Sequence, residues 1–304
     1  MIDVSILLLT KNGAHDLKAV LPAIVDQKGV PRFELVAIDS GSTDGTLQIL
    51  REFPVRIEPI PPEAFHHART RNFAAGLAAG EILIFLSQDA IPASDSWLSA
   101  MLANFSDSSV GAVYGRHLPK PGCSLERQDA LDAVYGNKRI VKDPARRNGA
   151  GYRFYHFSDA NAAIRRSVWE RTRFPEDCKV FEDLGIAKRI LDAGYKIIYE
   201  PQAPVFHSHH HTTVALLKRY FDIGCTLKRL KIWDAPGTRL SLVQDGRKLF
   251  LRKLRRVVEG GAGRAEGAAV GQYLAKSAGL FLGVNQSYLP VSVKRHLSAN
   301  GIFE

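Results

Sequence analysis

The chain has 304 residues, 45% hydrophobic and 24% charged, a globular composition that excludes a mainly disordered protein. Lys and Arg total 41 against 31 Asp and Glu; residues 1–212 hold 25 of each sign, so the whole net charge of +10 sits in residues 213–304. Cys123, Cys178 and Cys225 form no CxxC, which argues against a disulfide scaffold and a cysteine zinc site.

Met1–Leu9 carries no basic n-region and its apolar run is short, so no signal peptide is expected. No stretch reaches the roughly 18 uninterrupted apolar residues of a membrane span, and a soluble protein of a reducing compartment is expected. Strands are predicted at Val4–Leu9, Phe33–Ile38 and Glu81–Leu86. Helices are predicted at Asp16–Val25, Thr46–Phe53 and His67–Ala79, the last closed by Gly80 as its C-cap. This alternation argues for βαβ units and a parallel sheet covered on both faces. Residues 115–157 are rich in Gly, Pro, Arg and Tyr and read as an irregular loop. Order returns at Ala160–Ile164, in a helix over Phe181–Ala193 capped by Gly194, and in strands at Lys196–Tyr199 and Val205–Phe206. From Thr213 the pattern is helical and basic. A boundary therefore falls near 212, dividing the chain into 1–212 and 213–304.

Ligands of open parallel sheets bind outside the carboxyl ends of the strands. The polar clusters Thr10/Asn12, Asp39–Asp44 and Ser87-Gln88-Asp89 fall at three such ends. Each could merely turn the chain and cap a helix; three together point to a site. GxxxxGK[ST] and GxGxxG are both missing, so a diphosphate needs another counter-charge, which a divalent cation on Asp89 supplies. Glu182-Asp183 opens a helix, where acids also complement the macrodipole. His66, His67 and Arg69 read equally as acceptor contacts and as a solvated helix start. The run His207-Ser208-His209-His210-His211 has no Cys or carboxylate nearby in sequence, which argues against structural zinc.

The strings Ser5-Ile6-Leu7-Leu8-Leu9-Thr10-Lys11-Asn12, Val36-Ala37-Ile38-Asp39-Ser40-Gly41-Ser42-Thr43-Asp44-Gly45-Thr46, Ala68-Arg69-Thr70-Arg71-Asn72 and Phe85-Leu86-Ser87-Gln88-Asp89-Ala90 resemble glycosyltransferase family 2. Ile38–Thr46 with Gln88–Pro92 is most similar to the bacterial rhamnosyltransferase-like branch, and the likeness continues through Asn161–Trp169, Phe181-Glu182-Asp183, Tyr199-Glu200-Pro201 and Val205–His209. The resemblance implies a GT-A fold: an α/β, Rossmann-like, mixed but mainly parallel sheet with helices on both faces, here with a basic helical C-terminal extension. It implies inverting transfer of a sugar from a nucleotide-diphosphate donor to a glycan or lipid-linked glycan in cell-surface polysaccharide synthesis. It assigns Asp183 as general base. Thr10, Asn12, Asp39, Ser42, Asp44, Arg71, Gln88 and Asp89 fall on the donor, Asp89 and His207 on a divalent metal (Mg²⁺ or Mn²⁺), and Asn161 and Glu182 on the acceptor side. Ser87 and Gln88 depart from the family pattern, standing where many members carry a further acid.

The favoured donor is dTDP-rhamnose, with a UDP-sugar as the alternative, and a catalytically silent sugar-nucleotide or glycan-binding module is a third reading. The basic interleaving of Arg247–Val258, with Lys218-Arg219-Tyr220-Phe221 and Leu227–Trp233, suits an anionic membrane surface, a solvated bundle or self-association. A cytoplasmic protein, peripheral on the inner membrane face, is expected. A second copy of the chain is a candidate partner; nucleic acid is not expected.

Overall fold

A computed structural model describes residues 3–123, 131, 134–147, 151–209, 211–239, 241–242 and 264–303. Two compact units emerge. One comprises residues 1–144, 157–177 and 182–208; the other comprises 145–156, 178–181 and 209–304.

The first unit is built on a sheet of nine described strands. They are β1 (Val4–Thr10), β2 (Phe33–Asp39), β3 (Val55–Pro59), β4 (Ile82–Ser87), β5 (Ile91–Pro92), β6 (Val110–Leu118), β7 (Ile140–Lys142), β8 (Asn161–Arg165) and β9 (Lys196–Phe206). The order is β3-β2-β1-β4-β8-β6-β9-β5, with β7 on β9. β1 pairs in parallel with β2 and β4, β2 with β3, and β6 with β9, while β8 runs antiparallel to both β4 and β6. One sheet edge therefore gathers the carboxyl ends of β1, β2, β4, β6 and β9 and the amino end of β8. Helices in this unit are α1 (Ala14–Val25), α2 (Thr46–Arg51), α3 (His67–Leu77), α4 (Trp97–Leu102), α5 (Arg166–Thr172) and α6 (Glu182–Asp192).

The strands read as continuous apolar runs because both faces are covered. Ile6, Leu8, Ile84 and Leu86 share a core with Leu17, Val20, Leu21 and Ile24 of α1 and Trp97, Leu98 and Met101 of α4. On alternate positions Phe85 meets Phe174 edge-on.

Three expectations are corrected. Lys196–Tyr199 and Val205–Phe206 are parts of one strand, β9, which carries register shifts against β6 and so loses its simple alternation. Gly80 does not cap α3, because the helix ends at Leu77 and Ala78 is already extended. Gly80 instead lets the chain pass the backbone of Val4 and Ser5, where any side chain would clash. The stretch read as irregular contains the end of β6 and β7.

In the second unit α7 (Thr213–Arg229) packs on α8 (Arg264–Val284), and α9 is Val291–Leu297. Asp222, buried in α7, accepts hydrogen bonds from Ala299 N (3.0 Å) and Asn300 Nδ2 (2.9 Å) and so ties down the C-terminal segment; burial raises its pKa. Among the described residues no helix is long and apolar enough to cross a membrane. Arg247–Val258 lies outside the described residues.

Candidate active site

The sites forecast from sequence fall along that single edge of the first unit's sheet. Thr10 ends β1 opposite Asp39, which ends β2. Asp39 is buried, and its carboxylate accepts four hydrogen bonds: Thr10 Oγ1 (3.0 Å) and Ser42 Oγ (2.6 Å) on one oxygen, Gly41 N (3.0 Å) and Ser42 N (2.9 Å) on the other. The adjoining loops are laced together. Asn12 N donates to Ser42 Oγ (2.9 Å), and Thr43 N donates to Asn12 Oδ1 (2.8 Å). Asn12 holds a left-handed φ of 46°, a conformation its short amide tolerates. Asp44 accepts from Thr46 N, Thr46 Oγ1 and Ala14 N; the Thr46 hydroxyl is the main reason its pKa lies below the usual carboxylate range.

Gln88 follows β4 and reaches across to the end of β1. Its Oε1 accepts from Lys11 N (2.9 Å) and its Nε2 donates to Lys11 O (3.0 Å), reproducing a rung of a strand ladder with a side-chain amide. A side chain at Gly13 would collide with that amide. Lys11, which the sequence reading left without a role, donates from Nζ to Ser40 O (2.8 Å) and Gly41 O (2.6 Å).

Asp89 comes next, half-buried. His207, which follows β9, places Nε2 3.4 Å from Asp89 Oδ1. Its Nδ1 lies 3.3 Å from His117 Nδ1, and His117 stacks on Tyr135. One carboxylate oxygen and one imidazole nitrogen facing each other suit a divalent cation that also takes substrate oxygens. The chain passes into the second unit at His209, so the pair held by the first unit alone is Asp89 and His207. Lys120, beyond the end of β6, puts Nζ 3.5 Å from Asp89 Oδ2 and 3.2 Å from Asp16 Oδ1.

The amino end of β8 meets the carboxyl end of β4, where Ser87 N donates to Ala160 O (3.1 Å). Here Asp159, absent from the sequence forecast, joins Arg71 and Glu182. Arg71 sets Nε 2.8 Å from Asp159 Oδ2 and donates from Nη2 to Asp159 Oδ1 (3.1 Å) and from Nη1 to Glu182 Oε1 (2.7 Å). Arg71, forecast to reach the base or diphosphate, is thus engaged by two carboxylates, only 11% of its side chain exposed.

Asp183, half-buried beside this trio, has a pKa raised well above 3.8; burial is the main cause, followed by the negative charges of Asp159 and Glu182. Burial also raises Asp159, to about 6, against the opposing pull of Arg71. Nearby His67 falls to about 4, through burial first and Arg71's charge second. Half of its side chain reaches solvent (49%), which moderates that fall and still leaves it neutral at pH 7. Three acids and one guanidinium hold more negative potential than one cation neutralises, so a proton stays on the acids above the pH at which free carboxyls lose it.

Asn161, expected on the acceptor side, is corrected. It is fully buried, accepting from Trp97 Nε1 (2.9 Å) and donating to Ala203 O (3.0 Å), so no acceptor reaches it. Glu182 is buried on Arg71. Asp159 left no sequence signal, since its partners lie 88 and 23 positions away and only the β4–β8 pairing brings them together.

Comparison with known proteins gives the family and the fold. The family described as Glycosyl transferase family 2 matches residues 5–173, and the chain belongs to it. It is 36% identical over 224 residues to the O-antigen chain rhamnosyltransferase RfbN of Salmonella typhimurium, covering 73% of this chain and 71% of that one. It is 38% identical over 193 residues to the O-antigen chain rhamnosyltransferase WbaN of Salmonella anatum, covering 63% of this chain and 61% of the relative's length. Among solved structures it is similar to a mannosyltransferase of Pyrobaculum calidifontis in complex with GDP-Man and Mn²⁺ (TM-score 0.64, 18% identity, 92% of this chain and 86% of that one). It also resembles residues 1–349 of S. aureus TarS in complex with UDP-GlcNAc (TM-score 0.58, 16% identity, 98% and 84%). The expected mixed α/β fold of GT-A glycosyltransferases is the fold observed.

Proposed function

We propose that this member of glycosyltransferase family 2 is an inverting hexosyltransferase that moves rhamnose from dTDP-rhamnose to a glycan, lipid-linked or free, in polysaccharide synthesis. The observation that carries the reading is the meeting, along one sheet edge, of tied polar loops, a metal-type pair and a proton-holding acid cluster. The likeness to two rhamnosyltransferases supports the choice of sugar.

The loops Lys11–Gly13 and Ser40–Asp44, fixed by Asp39 and Gln88, form the floor for the nucleotide. Thr10, Asn12 and Ser42 line it. Asp89 and His207 would hold a divalent cation, whose charge stabilises the departing diphosphate. In-line displacement at the anomeric carbon requires the acceptor hydroxyl to lose its proton as its oxygen attacks. Asp183 takes that proton. Its raised affinity for protons makes it a stronger base than an exposed carboxylate, and Arg71 holds the neighbouring Asp159 and Glu182 in place. The diphosphate leaves without a protein acid, since stabilisation of its charge suffices.

The test is calorimetric titration with dTDP, UDP and GDP in Mn²⁺, followed by detection of rhamnosyl transfer from dTDP-rhamnose. Selective dTDP binding is expected. Selective UDP binding would reassign the donor, and no response to any of the three would overturn the enzyme reading. The basic residues of 213–304 would let the protein act at the anionic inner face of a membrane; flotation with vesicles containing phosphatidylglycerol checks this, and full-length chain remaining at the bottom would refute it.

A further inference from the structure

We propose that Lys120 is an exchangeable counter-charge: its ammonium holds Asp89 until a divalent cation arrives, and then moves onto the donor's diphosphate. This rests on the metal reading of Asp89 and His207. Lys120 stands just past β6, and its main chain is clamped to the segment after β9 that carries His207. Lys120 N donates to Ser208 Oγ (3.2 Å), Cys123 Sγ contacts the same hydroxyl (3.6 Å), and His207 N donates to Leu118 O (2.9 Å). The backbone is fixed, whereas the side chain is a flexible four-carbon stem ending in a point charge.

That charge lies 3.5 Å from Asp89 Oδ2 and 3.2 Å from Asp16 Oδ1, on the oxygen opposite the one His207 faces. About a quarter of the Lys120 side chain is exposed, which leaves it open to solvent on one side. A divalent cation on the same carboxylate repels the ammonium at this range. The ammonium then has Asp16 on one side and, once the donor is bound, an incoming diphosphate on the other. The diphosphate accepts a charge-assisted hydrogen bond and carries more charge than the single, partly exposed Asp16 carboxylate. The first unit thus carries its own substitute for the metal, which explains how Asp89 is neutralised while the metal is away. Two opposite effects follow. Lys120 weakens the metal's affinity for the free protein, and it gives the diphosphate a partner even without metal.

The experiment measures Mn²⁺ affinity of the nucleotide-free protein by electron paramagnetic resonance, and dTDP and UDP affinity in EDTA by calorimetry. Wild type is compared with K120M and, as a second variant should that one fail to fold, K120Q. Loss of the ammonium should tighten Mn²⁺ about three- to tenfold and weaken metal-free nucleotide binding about tenfold. Unchanged or weaker Mn²⁺ binding in the variants, unchanged nucleotide binding in EDTA, or a wild type that binds nucleotide only with metal would each overturn the proposal. Absence of Mn²⁺ binding in wild type and variants alike would remove the metal reading itself, a different result from wild-type binding that the variants leave unmoved.

Discussion

Two groups of carboxylates share one sheet edge and live under opposite physics. Asp39 and Asp44 are surrounded by backbone N–H groups and hydroxyls, every oxygen occupied by donors, so each works as a fixed peg around which loops are tied. Asp159, Glu182 and Asp183 are packed against one another with a single guanidinium among them, and burial pushes Asp159 and Asp183 toward holding protons. The same side-chain chemistry gives scaffold where donors converge and proton-transfer capacity where acids converge. The function proposed above, holding a nucleotide still while moving a proton, would use both.

The sharpest way to break this contrast is to neutralise one member of each group. D183N should lower kcat by about 10²- to 10⁴-fold with donor affinity retained, because only the proton acceptor is lost; steady-state kinetics and calorimetry on one preparation check it. D39A should act the other way round. It leaves Gly41 N and Ser42 N without their carboxylate acceptor, should cost about 2–4 kcal/mol of stability by denaturant unfolding, and should abolish nucleotide binding with the loop.

The pH dependence of folding sharpens the same difference. Asp183 has a folded pKa above its ordinary 3.8, so the folded state binds more protons. Its contribution is whole below about pH 4 and is lost as pH rises through the raised value. D183N carries no such loss. It should melt with wild type near pH 4 and a few degrees later than wild type at pH 8, at about 2–4 °C per kcal/mol. Equal melting at both ends would show that Asp183 is not held in the buried, acid-rich environment described. The smallest effect expected is that of Q88E. It keeps the acceptor for Lys11 N but sets a carboxylate oxygen against Lys11 O, and should cost about 1–2 kcal/mol and weaken nucleotide binding several-fold.

What could be read in the sequence divides along the same line. The scaffold half was legible because Thr10, Asn12, Asp39, Ser42 and Asp44 lie in short turns right after apolar strand runs, where turn chemistry and strand ends are local signals. The acid half was legible only through family resemblance. Asp159 precedes β8, and nothing near it says that β8 runs antiparallel beside β4 or that Arg71 waits there. Lys120 lay in a stretch read as irregular, and its role depends on β6 and β9 pairing with a bulge. Asn161 misled because its motif is real while its amide is used for packing, holding Trp97 and Ala203. β9 was split in two because Pro201 and Pro204 interrupt the pattern of a strand that tolerates them in its irregular middle.

The central claim is that Asp183 removes the acceptor's proton from within an acid cluster that raises its affinity for protons. The direct measurement is kcat against pH for wild type and D183N under saturating donor. The account predicts a wild-type rate that climbs with pH through a midpoint well above 3.8, and a D183N rate that is about 10²-fold or more lower and without that limb. A D183N enzyme that turns over within a few-fold of wild type along the same limb would contradict it.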